Sequence, residues 1–118
     1  MTGIVTVYAT FGDEEEARRI ARIVVEERLA ACANILAPCH SIYRWEGRIE
    51  EATEVPALFK TREAGAEALI ARIAELHSYD VPAAVAWPIS VSHPRYAEWA
   101  AAESGAVSEY LPRKRPKH

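Results

Sequence analysis

Apolar and polar positions follow two rhythms along this chain. Ile4-Val-Thr-Val-Tyr-Ala-Thr-Phe11 is a β-branched and aromatic run and predicts a buried strand. Gly12 breaks it. Asp13 then precedes Glu16 by three, a capping-box-like helix start with carboxylates at the positive end of the dipole. Ala17, Ile20, Ala21 and Val24 recur at i, i+3, i+4 and i+7, so this helix has one apolar face and should end near Arg28 and Leu29. Glu14–Arg18 and Glu15–Arg19 are i, i+4 pairs that support its outer side.

A second strand region runs from about Cys32 to Trp45, interrupted at Pro38, and a third from Arg48 to Thr61. Glu46-Gly47 between them is a two-residue X-Gly hairpin signal. Both arms are about twice the usual strand length. Arms that overshoot their own sheet leave unpaired backbone, which predicts pairing with another chain. Pro56 requires an edge position or a bulge in its strand. A second helix starts near Arg62 and Glu63, with Ala66, Leu69, Ile70, Ile73 and then Leu76-His77 in helical period. Residues 83–90 read as a fourth strand. Ser92 before His93-Pro94 reads as the N-cap of a short last helix, Arg95 to Glu103, with Tyr96, Trp99 and Ala100 on one side. The order βαββαβ with a trailing helix predicts an α+β, ferredoxin-like sandwich: an antiparallel sheet with two helices on one face and long hairpin arms.

Length and composition bound this picture. The chain has 118 residues, half of them hydrophobic and 26% charged, as expected for one globular domain over residues 1–110. No apolar run approaches the roughly 20 residues of a membrane span. No export segment is recognised at the start, so a cytoplasmic location is the default expectation. Two cysteines, Cys32 and Cys39, are expected to be free thiols, Cys32 buried among small apolar residues. The formal charge is −3, from 14 basic and 17 acidic side chains. Arg113, Lys114, Arg115 and Lys117 fall in the last residues; without them the balance is 10 against 17, or −7. An acidic body argues against nucleic acid as a partner and is permissive for cations. Residues 111–118 read as a basic, disordered tail.

Catalytic motifs are missing. There is no G-x-S-x-G, P-loop, Rossmann glycine pattern or H-E-x-x-H, so neither an enzyme nor an organic cofactor is expected. Cys39 and His40 are strand neighbours whose side chains leave opposite faces, which disfavours one shared ion. His77 closes an amphipathic helix. Its imidazole serves there either as a cation against the dipole or as a ligand in a cleft. Trp45-Glu46-Gly47-Arg48-Ile49-Glu50-Glu51 offers either an interface aromatic with oxygen ligands for a hard cation or a charged edge that blocks aggregation. Lys60 could face an anionic ligand or pair with one of those carboxylates.

Four stretches carry a family resemblance: residues 28–35 (RLAACANI), 41–51 (SIYRWEGRIEE), 58–61 (LFKT) and 75–82 (ELHSYDVP). In this order, between about Ile4 and Trp99, the chain resembles the CutA family of divalent-cation tolerance proteins. The resemblance implies a homotrimer with an architecture similar to the PII signalling proteins, and a link to copper and other divalent cations. The family histidine of its H-P-Y motif falls on His77, which makes His77 the expected metal ligand. The proline of that motif is Ser78 here. A second histidine of some members falls on Leu76, and a copper-associated thiol on Ala9. Tyr43, Trp45, Glu46, Lys60 and Tyr79 match the family pattern and are expected to line an intersubunit cleft. The expected function is divalent-metal, chiefly copper, tolerance by ion binding in a homotrimer. The alternative is a PII-like signalling protein whose cleft binds a small anionic effector.

Overall fold

A computed structural model describes residues 2–105. The expected tail, 111–118, and the end of the expected domain lie outside the described residues. The elements are β1 (Ile4–Phe11), α1 (Glu14–Glu26), β2 (Cys32–Ile35), β3 (Cys39–Trp45), β4 (Arg48–Arg62), a 3-10 turn (Glu63–Gly65), α2 (Ala66–Leu76), β5 (Ala84–Pro88) and α3 (Pro94–Glu103). The sheet is antiparallel throughout, in the order β2-β4-β1-β5, with β3 also paired to β4. This is an α+β domain with the predicted element order.

Strand alternation divides the sheet into two faces. Val5, Val7, Ala9 and Phe11 of β1 pair in register with Thr61, Phe59, Ala57 and Val55 of β4. They form the core with Ala17, Ile20, Ala21 and Val24 of α1 and Leu69 and Ile73 of α2. Both helices therefore cover one face, and their apolar stripes fall at the predicted positions. The other face carries Thr6, Tyr8 and Thr10 opposite Lys60, Leu58 and Pro56, with Val85 and Trp87 exposed beside them. A smaller apolar cluster, Ile4, Ala31, Ala97, Trp99 and Ala100, seats α3.

Asp13 is the N-cap of α1 and accepts from the Glu16 N–H at 2.8 Å. Glu14 and Arg18 pair at 2.7 Å, whereas Glu15 and Arg19 do not pair. The helix stops two residues before the expected end because Arg28 turns left-handed at φ 64. The Leu29 N–H bonds the Val24 carbonyl and the Arg28 N–H the Val25 carbonyl, which is a Schellman ending with arginine where glycine is usual.

β4 is 15 residues long, about 50 Å of extended chain. Its residues 55–62 pair with β1, while 48–54 pair with β3 alone. That half leaves the sheet as a two-stranded arm. The arm ends at Glu46 (φ 48) and Gly47 (φ 81), the two positive φ values that a type I′ hairpin turn requires.

Three local expectations are corrected. Pro56 lies inside a central strand in unbroken register with Thr10, neither at an edge nor in a bulge. Its carbonyl accepts from the Leu36 N–H, so its absent N–H faces the connector between β2 and β3, where no ladder bond is needed. The N-cap of α3 is His93, whose Nδ1 accepts from the Arg95 N–H at 3.1 Å, rather than Ser92. Cys32 is half-buried instead of fully enclosed, and its Sγ lies 3.4 Å from the Tyr96 hydroxyl.

Candidate functional site

At one end of the sheet three segments meet: the β1–α1 turn, the first turn of α1 and the residues after α2. His77 follows Ile73 by four and so continues the buried stripe of α2. Its side chain has no exposed surface. The ring stacks on Phe11, centroids 5.0 Å apart and planes at 16°, with Tyr79 on another side at 4.6 Å. Nδ1 accepts from the Tyr79 N–H at 3.1 Å, and Nε2 bonds the Thr10 carbonyl at 2.7 Å. A backbone N–H can only donate and a carbonyl only accept, so the proton sits on Nε2. Both ring nitrogens are occupied by main chain.

Two buried carboxylates join this cluster, Glu16 beside the ring and Glu54 through Tyr79. Glu16 places Oε2 3.7 Å from His77 Nδ1. That oxygen accepts from the Ser78 N–H at 2.7 Å, and Oε1 accepts from the Gly12 N–H at 3.2 Å. Glu16 therefore joins α1, the end of β1 and the start of the α2–β5 connector. A capping box would have returned this carboxylate to the N–H of Asp13; here it reaches one residue further. Burial is the largest single influence on its carboxyl and pushes the pKa up. Ser78, through its amide and hydroxyl, and the Gly12 amide together outweigh burial and hold it below the ordinary 4.5. Glu54, from β4, accepts from the Tyr79 hydroxyl at 3.0 Å and lies 3.5 Å from the Thr10 hydroxyl. Burial, then the Glu54 bond, push the Tyr79 phenol up to about 12.

A lowered carboxyl makes stability pH-dependent with a defined sign. The Glu16 contribution is complete above about pH 4.5, the unfolded value, and is lost as pH falls through the lower folded value. Melting curves of wild type and Glu16→Gln should differ by a constant amount above pH 5 or so and converge in more acid solution. A difference that stays constant down to the acid transition would contradict the assignment.

The expected cleft residues are only partly brought together. Tyr79 stands beside His77, and Tyr43 is close enough to Tyr79 to raise its pKa further. Trp45 and Glu46 sit at the far end of the arm, and Trp45 is exposed. Lys60 pairs with Thr6 on the open face, its Nζ 3.4 Å from Asn34 Oδ1. Ten β4 residues separate it from Glu50, the partner of Tyr43, or about 33 Å. Glu50 and Glu51 point to opposite sides of the arm; Glu51 holds the His40 ring at 2.6 Å. Among the described residues no three or more His, Cys, Asp and Glu side chains converge as a metal site would need. Glu16, Glu54 and Thr10 were not singled out as site residues from sequence. The Asp13-to-Glu16 spacing marked Glu16 as a cap, and nothing local marks the other two.

Comparison with known proteins decides the family. The model of the CutA1 divalent ion tolerance protein family matches residues 5–103. The chain belongs to the CutA1 family. It is 45% identical over 96 residues to the divalent-cation tolerance protein CutA of Pyrococcus horikoshii, covering 81% of this chain and 93% of that one. Among solved structures, CutA from Xylella fastidiosa superposes with a TM-score of 0.84 at 38% identity, covering 87% of this chain and 99% of that one. Divalent cation tolerance protein from Thermus thermophilus gives 0.83 at 42% identity, with coverage of 86% and 99%. The chain spans about half the length of chloroplastic CutA relatives from Arabidopsis thaliana and rice, 52% and 54% respectively. CutA1 proteins are thus named for tolerance of divalent ions and not for a reaction. The positions where the family resemblance puts a thiol and a second imidazole hold Ala9 and Leu76, and both pack in the apolar core.

Proposed function

We propose that this CutA1 protein serves divalent-metal tolerance by binding ions as a homotrimer, with copper as the first ion to test, and does not act by catalysis. The observation that carries the reading is the arm. It exposes Tyr43 and Trp45 on one side and Ile42 and Ile49 on the other. A two-stranded ribbon is marginal alone, and one apolar on both sides calls for cover on both, which neighbouring copies in a closed ring would supply. The strand order, with helices on one face only, supports the ferredoxin-like description and leaves the open face for such contacts. A cleft containing both Lys60 and the Tyr43–Tyr79 group must then draw on two subunits, because within one chain Tyr79 binds Glu54, six residues or about 20 Å from Lys60, and Tyr43 lies about 33 Å away.

His77 is a ligand in this reading on one condition. Its Nδ1 must release the Tyr79 N–H, after which Nδ1 and Glu16 Oε2 would face an ion together. A single chain supplies no soft thiolate beside them, so the remaining ligands would come from solvent or another subunit. Copper titration of wild type and His77→Ala tests this, with mass followed by light scattering. The expected mass is three times the 13.1 kDa of the chain, with saturable binding at a fixed ratio per subunit. Loss of binding in a still-trimeric His77→Ala places the ion there, and unchanged binding moves it to the intersubunit cleft. A trimer that takes up no ion would sink the ion-binding reading.

One observation favours a second reading. Among the described residues, Lys60 presents its ammonium on the open face with a long contact to Asn34, as a subsite for a small anionic effector of a PII-like signalling protein would require. That reading predicts anion-induced thermal stabilisation that Lys60→Ala abolishes.

A further inference from the structure

The last helix is attached differently from the other two. α3 buries Ala97, Trp99 and Ala100 against Ile4 and Ala31, in a cluster separate from the main core. Tyr96, in its first turn, meets the Cys32 thiol, and the helix's tie to a charged side chain lies at its C-terminal end. Arg28 Nε donates to the Gly105 carbonyl at 2.9 Å and Nη2 to the Ala102 carbonyl at 2.8 Å, with Nη1 3.6 Å from Glu103. The Gly105 N–H returns to the Arg28 carbonyl. Ser104 Oγ donates to the Ala100 carbonyl and accepts from the Arg62 N–H. At the other end, His93 caps only its own helix. The guanidinium thus meets carbonyls that a helix C-terminus leaves unpaired, where a cation is also favoured by the dipole.

The latch has a second unusual property. Arg28 occupies the left-handed region at φ 64, which disfavours a residue with a Cβ. Glycine would close the Schellman turn of α1 with less strain. The position therefore uses arginine against the local backbone preference, and the compensating gain visible in the structure is its grip on α3. Beneath α3 lies the half-buried thiol of Cys32, within 3.4 Å of the Tyr96 hydroxyl.

We propose that α3 is a detachable strap, latched by Arg28, whose release controls access to Cys32 while the sheet and its two core helices stay folded. The separate apolar cluster makes such sub-global opening possible, because lifting α3 exposes few side chains and leaves the main core intact. Cys39, some seven residues along the chain and opposite Glu54 at the base of the arm, lies outside the strap and serves as an internal reference.

The test is limiting alkylation of the full-length protein with iodoacetamide, with adduct at Cys32 and Cys39 followed by mass spectrometry. Arg28→Gly is the informative variant, because it keeps the left-handed turn and removes the side chain that carries the guanidinium. Relative to Cys39, the Cys32 rate should rise about tenfold or more, as two charge-assisted hydrogen bonds are lost. Hydrogen exchange of the wild type should show the amides of residues 97–103 opening faster than those of β1 and the core turns of α1. An unchanged Cys32 rate, a parallel rise at both cysteines, or α3 amides that open only with the whole domain would each overturn the strap.

Discussion

Replacement of His77 by alanine is expected to lower the free energy of unfolding by about 3 kcal/mol, measured by denaturant melts at fixed protein concentration. The effect has two sources. The ring is enclosed between Phe11 and Tyr79, so truncation leaves a cavity. It also orphans the Thr10 carbonyl and the Tyr79 N–H, which Nε2 and Nδ1 now satisfy; unmade buried bonds each cost about 1–3 kcal/mol. His77→Phe separates the two. Phenylalanine refills the space yet leaves both main-chain groups unpaired, so it should recover only part of the loss. If alanine costs less than about 1 kcal/mol, water has replaced the ring's bonds and His77 is held loosely enough to serve as a ligand. The measurement therefore bears on function as well as stability, and a titration of His77→Ala needs this control beside it.

Trp87→Glu is expected to convert the proposed homotrimer to single chains while leaving the chain folded. Trp87 is 45% exposed and Val85 52% exposed on the open sheet face, and the indole touches Tyr8 at a centroid distance of 6.1 Å. In an assembly that covers this face, each subunit would bury a carboxylate without a partner, a penalty of several kcal/mol repeated in every copy. In one chain the new carboxylate stays in water. Light scattering should drop to the single-chain mass, circular dichroism should keep its α+β signature, and the melting temperature should fall through loss of association. Trp87→Phe should remain assembled. A Trp87→Glu protein of unchanged mass would assign the contacts to the arm and free the sheet face from them.

Short-range features were legible without any structure. β1 and the buried stripe of α1 were readable because a two-residue and a 3.6-residue period each demand one backbone geometry. The Glu46-Gly47 turn was readable because few residue pairs accept positive φ twice. The overlong β4 is visible as length alone, whereas the arm expected from Cys32 to Trp45 is two strands of 4 and 7 residues. Errors arose where a residue's neighbours come from elsewhere in the chain. Pro56 by type calls for an edge position or a bulge because its missing N–H forbids a ladder bond; the gap between β2 and β3 instead gives it a place inside a central strand where no such bond is needed. Ser92 is the better cap by type, but His93 supplies the acceptor.

For the candidate site the division is sharper. The motif around residues 75–82 marked His77 and Tyr79, and helical period placed His77 on the stripe of Ile73. Whether that histidine would be a cation against the dipole, a ligand or a hydrogen-bonded core ring was open, because it depends on what meets Nδ1 and Nε2. Those partners, Tyr79 and Thr10, are 2 and 67 positions away. Glu16 and Glu54 join the same cluster from 62 and 25 positions away, through Ser78 and Tyr79. Lys60 and Tyr43 look adjacent in a list of matching residues, yet strand register sets them about 33 Å apart. The sequence alone determined the family, the element order and the faces of the elements, since these follow from local backbone preference and from which side must leave water. The tertiary structure decided which buried polar atoms are satisfied and by what. Each such atom needs one partner at hydrogen-bond distance, and only the closed sheet and its packed helices bring distant segments that near.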